Sequence, residues 1–203
     1  MEKDGIYYGL ALTGAGVFLS YFFHPGWGAV FFVLAVFCAY FFRDPERVVP
    51  EGPVAVSPAD GKVVQIRSLE DGRTRVSIFL NIFDVHVNRV PVGGRITNVA
   101  YQPGRFVMAH REEASSDNEQ NTVTIDAGGT EVVTRQIAGL VARRIVCRKK
   151  PGDEVEKGER FGLIKFGSRV DVFFGPDWEL AVSPGDRVRG GSSILARRRS
   201  VEP

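Results

Sequence analysis

Residues 5–42 contain no Asp, Glu, Lys or Arg, whereas the chain from Arg43 onward is densely charged. This uncharged run of 38 residues constrains the fold more than any other feature. So much contiguous apolar surface is hard to accommodate on the outside of a water-soluble domain. It is too long for a signal-peptide core, and no cationic leader or small-residue cleavage site goes with it. His24-Pro25-Gly26 is a turn signature that splits the run into halves, each at the short limit of a bilayer span of about 20 residues. Phe18, Phe22, Phe23, Phe31, Phe32, Phe37, Phe41 and Phe42 cover more than one helical face, which disfavours a buried soluble helix pair. Two membrane geometries remain, a hairpin of two short helices, which is preferred, and a single monotopic insertion. A hairpin returns both ends to one side. Arg43 and Arg47, just behind it, then place the body on the cytoplasmic face of the cell membrane. The tail Arg197-Arg198-Arg199 is either a solvated charge run or a contact to anionic headgroups.

The expected organisation is therefore an anchoring hairpin over residues 1–42 and a globular domain over residues 43–203. A net charge of +2 argues against a dedicated nucleic-acid binder. Cys38 and Cys147 have no C-x-x-C spacing, so neither a disulfide framework nor a cysteine metal site organises the chain, and no metal is expected. The body is expected to be mainly β. Residues 54–56, 62–66, 75–80, 122–125, 131–137, 144–148 and 170–174 are short, rich in β-branched or aromatic side chains, and many are separated by Gly, Pro or Asp turns. Residues 136–142 fit either a short helix or part of a strand. Pro151-Gly152-Asp153-Glu154-Val155-Glu156-Lys157-Gly158 recurs as Pro184-Gly185-Asp186-Arg187-Val188-Arg189-Gly190-Gly191, an offset of 33 residues. Each copy is a tight corner: Pro fixes φ, Gly allows positive φ, and Asp caps its own turn. Two such corners predict a duplicated β unit that resembles the barrel-sandwich fold of lipoyl and biotinyl carriers. The Met-Lys-Met or Asp-Lys-Ala tripeptide of those carriers is missing, so that likeness carries the fold and not the chemistry.

Gly167-Ser168 interrupts the strand-like run of residues 161–172, and a glycine inside a strand usually marks only a bend or bulge. Its surroundings change that reading. Phe42-Arg43-Asp44-Pro45-Glu46-Arg47, Ser57-Pro58-Ala59-Asp60-Gly61-Lys62-Val63 and Phe79-Leu80 occur in order with Asp84-Val85-His86-Val87-Asn88-Arg89-Val90-Pro91 and Asn118-Glu119-Gln120-Asn121. Gln136-Ile137-Ala138-Gly139, Ala142-Arg143-Arg144-Ile145-Val146 and the stretch 160–172 follow. Together these motifs closely resemble the short form of the phosphatidylserine decarboxylases, over nearly the whole chain.

The resemblance implies self-processing. Ser168 Oγ would attack the Gly167 carbonyl to give an ester, and β-elimination would leave dehydroalanine, which hydrolyses to a pyruvoyl group and ammonia. The products would be chains 1–167 and 168–203, held as a heterodimer or within a higher oligomer. Glycine offers an unhindered carbonyl, while serine supplies a nucleophile and, once esterified, a leaving group on its own β-carbon. The covalent pyruvoyl cofactor would then decarboxylate the serine headgroup of a membrane phospholipid through a Schiff base. The lipid would be phosphatidylserine or its archaeal ether-lipid equivalent. By the same resemblance Asp60 serves self-cleavage, His86 serves decarboxylation, and Asn118, Glu119 and Asn121 are candidate substrate-binding residues. Many long-form relatives carry a second histidine where Arg89 stands, and an arginine cannot act as a base at neutral pH. The proton acceptor for Ser168 is thus left among Asp60 directly, Asp60 through water, and His86. His110 falls in a polar stretch expected to loop over the site. A competing reading from a different class is a non-catalytic, membrane-anchored barrel-sandwich adaptor.

Overall fold

A computed structural model describes residues 2–104, 118–139, 144–164 and 168–199, in two compact units, Met1–Glu46 and Arg47–Pro203. The expected stretch 136–142 is described only to residue 139, and Gly167 and His110 lie outside the described residues.

In the first unit, helix α1 (Lys3–Phe22) and helix α2 (Pro25–Phe41) form the hairpin. His24 makes the turn: its Nδ1 accepts from Gly26 N–H at 3.0 Å and caps α2, while Pro25 occupies the first turn, where no N–H is needed. Small residues let the helices approach. A Cβ on Gly28 would collide with Ser20 and with the Gly16 carbonyl, and one on Gly16 would press on Phe32. The hairpin closes at its base, where Glu2 N–H donates to the Phe42 carbonyl at 3.0 Å. α1 is long and apolar enough to cross a membrane, while α2, at 17 residues, is a shorter apolar helix.

The second unit is all β among the described residues. In chain order the strands are β1 (Val54–Val56), β2 (Gly61–Ser68), β3 (Thr74–Leu80), β4 (Val87–Arg89), β5 (Gly94–Gln102), β6 (Gln120–Asp126) and β7 (Glu131–Ala138). They continue as β8 (Ile145–Cys147), β9 (Glu154–Val155), β10 (Arg160–Ile164), β11 (Ser168–Phe174), β12 (Trp178–Leu180), β13 (Arg187–Val188) and β14 (Ile194–Arg198). An eight-stranded, curled sheet runs β13-β2-β3-β11-β7-β6-β5-β9, and two three-stranded sheets, β1-β14-β12 and β4-β10-β8, accompany it. The main core joins all three, through Val63, Ile78, Ile96, Val123 and Val172 of the large sheet, Leu195 of β14 and Phe161 of β10. Each such side chain removed from water contributes about 1.5–3 kcal/mol. The expectation of a mainly β body behind an apolar helical hairpin holds.

The repeated corners prove to be the two outer strands of the large sheet. β13 pairs with the start of β2 and β9 with the start of β5. The hydrogen bonds match one for one: Val63 N to Asp186 O and Ile96 N to Asp153 O are both 2.9 Å, and Gly185 N to Val63 O and Gly152 N to Ile96 O are both 2.8 Å. The segments receiving the corners are themselves related by 33 residues. Ser57-Pro58-Ala59-Asp60-Gly61-Lys62-Val63 matches Val90-Pro91-Val92-Gly93-Gly94-Arg95-Ile96, and Ser57 O and Val90 O accept from Gly191 N and Gly158 N, both at 2.8 Å. Gly61 and Gly94 share φ values of +156° and +151°, and a Cβ on either would strike a neighbouring strand's carbonyl, Phe79 O or Asp126 O. Only glycine fits there. The charged group that distinguishes the copies is Asp60, which is Gly93 in the second.

Candidate active site

Sheet register assembles the site. Ser168 opens β11 between Leu80, the last residue of β3, and Ala138, the last of β7. On one side Lys62 pairs with Phe79, which sets Asp60-Gly61 beside the end of β3; on the other, Ala138 N–H donates to Glu119 O at 3.0 Å. Asp60, Ser168 and the Asn118-Glu119 segment thus occupy one end of the sheet. Ser168 is fully buried, and its Oγ has no hydrogen-bond partner among the described residues. A buried hydroxyl left unpaired costs about 1–3 kcal/mol; Ser77 and Thr134 share this state among the described residues, and Ser168 differs in standing at the head of its strand. Ala59, Leu80, Ala138, Ile164 and Val170 form a small apolar cluster around it. Any charge that develops here is therefore poorly hydrated.

Asp60 is fixed by long-range contacts. Its two oxygens accept from Arg47 Nη2 at 3.0 and 2.9 Å, and Oδ1 accepts from Gly190 N–H at 2.7 Å. The Arg47 and Asp60 side chains are 9% and 16% exposed. Arg47, grouped in the sequence with the basic flank of the hairpin, is in fact the carboxylate's partner. Oδ2 keeps the less occupied set of lone pairs.

His86 lies between β3 and β4 and is 2% exposed. Its Nδ1 sits 2.9 Å from the Asp84 carbonyl, which can only accept, so in the neutral ring Nδ1 carries the proton and Nε2 the lone pair. The His86 carbonyl accepts from Ile164 N–H at 3.3 Å, at the end of β10. β10 and β11 belong to different sheets, with Ile164 ending one strand and Ser168 opening the other. His86 is thus bonded to the last residue of β10, and Ser168 is the first residue of β11.

The remaining candidates are built into the frame. Asn118 Nδ2 donates to Ala138 O at 2.7 Å and so braces Ser168's neighbour. Glu119 Oε1 accepts from Tyr101 Oη at 3.1 Å and faces Ile145 N–H at 3.4 Å. Burial first, then that hydrogen bond and the carboxylate's charge, raise the Tyr101 pKa. Asn121 donates to Gln136 Oε1 at 3.0 Å, and Gln136 donates to Asn88 Oδ1 at 2.8 Å, an amide relay that ties the large sheet to β4. Arg89 donates to Gly158 O at 3.1 Å and is 6% exposed, which ties β4 to the first repeated corner. Sequence reasoning missed the Arg47–Asp60 pair and the Gly190 N–H. The 33-residue match between residues 57–63 and 90–96 was the available signal that the second corner folds onto Asp60. Among the described residues no His, Cys, Asp and Glu cluster could hold a metal ion.

Comparison with known proteins bears on this arrangement. The family profile described as phosphatidylserine decarboxylase matches residues 34–196. A protein from Solibacter usitatus named phosphatidylserine decarboxylase proenzyme is 59% identical, over 97% of this chain and 96% of its own length. Proteins of the same name from Syntrophus aciditrophicus (44% identical, 96% of each chain) and Saccharopolyspora erythraea (48%, 84% of this chain and 77% of that one) are also similar.

Proposed function

Because this chain belongs to the phosphatidylserine decarboxylase family, we propose that it decarboxylates the serine headgroup of a membrane phospholipid with a pyruvoyl group made from its own Ser168. The observation that carries this reading is the buried Ser168 hydroxyl at the head of β11, without a hydrogen-bond partner among the described residues and in register with the corner that holds Asp60. Among the described residues, such a hydroxyl has no competing bond to break before it attacks the preceding carbonyl. Its proton passes to the Asp60 side, Gly167 leaves as a carboxylate after β-elimination, and water releases ammonia from the dehydroalanine. Arg47 and Gly190 orient the carboxylate that starts the sequence. The residues suit the cofactor, since β3 and β7 enclose position 168 on both flanks in an apolar setting.

When formed, the pyruvoyl group is an electron sink for the bond to the departing carboxylate. The chain's own residues do the rest. His86, whose Nε2 can take up a proton and pass it on, delivers the proton that replaces CO2, and the apolar cluster disfavours a charged carboxylate over neutral CO2. Asn118 and Glu119 line the same end of the sheet and serve the headgroup, while Asn121 positions the frame through Gln136. Cleavage does not free the small chain. β11 stays clamped by a seven-residue pairing with β3 and six residues with β7, and β12, β13 and β14 remain bound to their partner strands. The apolar hairpin anchors the enzyme, and Arg43, whose guanidinium lies 3.8 Å from the Tyr40 ring centroid, marks the cytoplasmic side.

Intact mass spectrometry tests the reading. The purified protein should resolve under denaturing conditions into residues 1–167 and 168–203, the latter lighter by one ammonia than a serine-headed peptide. It should release CO2 from a serine phospholipid. A single uncleaved chain with full decarboxylase activity would refute it.

A further inference from the structure

Between Leu80, which pairs with Ser168, and His86, the chain makes a short, tightly pinned loop. Asn81 N–H donates to Asp84 Oδ2 at 2.9 Å, Phe83 N–H to Asn81 Oδ1 at 2.7 Å, and Asp84 N–H to Asn81 O at 3.0 Å. Arg187 Nη1, from outer strand β13, closes the loop from outside through Asp84 Oδ1 at 3.0 Å. These bonds leave the two tip side chains in water: Ile82 is 42% and Phe83 is 63% exposed. Among the described residues of Arg47–Pro203 the other exposed large apolar side chains are Val48, Val64 and Tyr101, none adjacent in sequence to another. Ile82-Phe83 is the one consecutive pair. A loop held by four hydrogen bonds has no need to display an aromatic and a β-branched residue to solvent, and such displays mark contact surfaces.

The charges around the tip say what the surface meets. Lys62, Arg187 and Arg189 are exposed on the neighbouring strands and corner, against the carboxylates of Asp84 and Asp186, and Asp84 is already tied to Arg187. An apolar tip with a net positive collar fits an anionic bilayer surface, where the side chains enter the acyl boundary and the cations meet headgroups. We propose that the 81–84 loop is a lipid-contacting finger, seating Ile82 and Phe83 in the surface of an anionic bilayer beside the reacting end of the sheet. It thereby presents a serine headgroup to Ser168 and His86 without lifting the lipid clear of the membrane. The inference rests on the proposed decarboxylase reading and adds the means by which a bilayer substrate is engaged.

The test uses full-length protein in liposomes of phosphatidylcholine and phosphatidylserine, with Ile82→Ser/Phe83→Ser against the parent. Both proteins are also assayed on glycerophosphoserine, which has the headgroup and no tails. The expected result is normal self-cleavage, unchanged kcat/KM on the soluble headgroup, and an apparent KM for bilayer lipid raised about tenfold or more, the loss of two buried apolar side chains. Phe83→Trp should keep the parental bilayer KM, and its added emission should be quenched by lipids brominated near the headgroup end of the acyl chain. Equal loss on both substrates, or equal activity on both, overturns the proposal, as does added tryptophan emission that brominated lipid leaves untouched. A parent that neither cleaves nor decarboxylates would refute the decarboxylase reading instead, and the quenching measurement would still decide the loop.

Discussion

Replacing Asp60 by Asn separates a chemical role from a structural one. The carboxylate accepts two contacts from Arg47 Nη2 and one from Gly190 N–H. Asparagine keeps an oxygen for Gly190 but removes the charge and turns an NH2 toward the guanidinium. Charge-assisted hydrogen bonds contribute about 1.5–3 kcal/mol each, and with side chains 9% and 16% exposed the lower figure applies to this site. If Asp60 also takes the Ser168 proton, its loss should slow processing by about 10²–10⁴-fold, a barrier increase of about 3–5 kcal/mol. The kinetic effect therefore exceeds the stability effect, and the expected product is a folded, uncleaved chain. Arg47→Met is the control, since it removes the same ion pair but leaves the carboxylate on Gly190. It should cost similar stability and slow cleavage by less than about tenfold. Stabilities are read by urea unfolding in a Ser168→Ala background, and cleavage by a denaturing-gel time course. Equal slowing by Asp60→Asn and Arg47→Met would show that the pair only holds the corner, and Asp60 would lose its role.

Ser168→Ala should give a single uncleaved chain without activity and, because it deletes an unpaired buried hydroxyl, unchanged or slightly raised stability by urea unfolding. His86→Ala should still cleave on a gel but decarboxylate about 10²–10⁴-fold more slowly in a lipid turnover assay. If it remains uncleaved while Asp60→Asn cleaves normally, the two roles are exchanged. Gly94→Ala, at φ +151° and against the Asp126 carbonyl, should lower stability by about 2 kcal/mol or more, whereas Gly72→Ala, at φ +81° with open space around it, should cost about 1 kcal/mol. Thermal melts of both variants check the contrast.

Much of this protein is legible in its sequence because the relevant physics is local. Phenylalanines on more than one helical face and a missing set of charges specify the hairpin, and Pro25 with a capping His24 specifies where it turns. The strand stretches were legible where β-branched residues cluster. Residues 54–56 are β1 without adjustment, and 75–80, 131–137 and 170–174 fall within β3, β7 and β11. β5 escaped notice because it is largely exposed and mixes polar with apolar side chains in no regular order, so no apolar alternation marks it. β9 and β13, at two residues each, are too short to leave a pattern; the Pro-Gly-Asp corners announced the turns but not the strands that follow them.

The site itself is a product of tertiary structure. The run 161–172 looks continuous in sequence, yet β10 and β11 go to different sheets, because β10 finds its partners in β4 and β8 and β11 finds its own in β3 and β7. That separation is what lets Ser168 open a strand of its own between β3 and β7. Asp60 meets Gly190 across 130 positions and Arg47 across 13, and no dihedral preference reaches so far. The sequence could say that an aspartate and an arginine exist in suitable motifs. Which of them pair, and which hydroxyl stands buried at the head of a strand, depends on sheet register, and register is set by long-range packing of the whole barrel-like body.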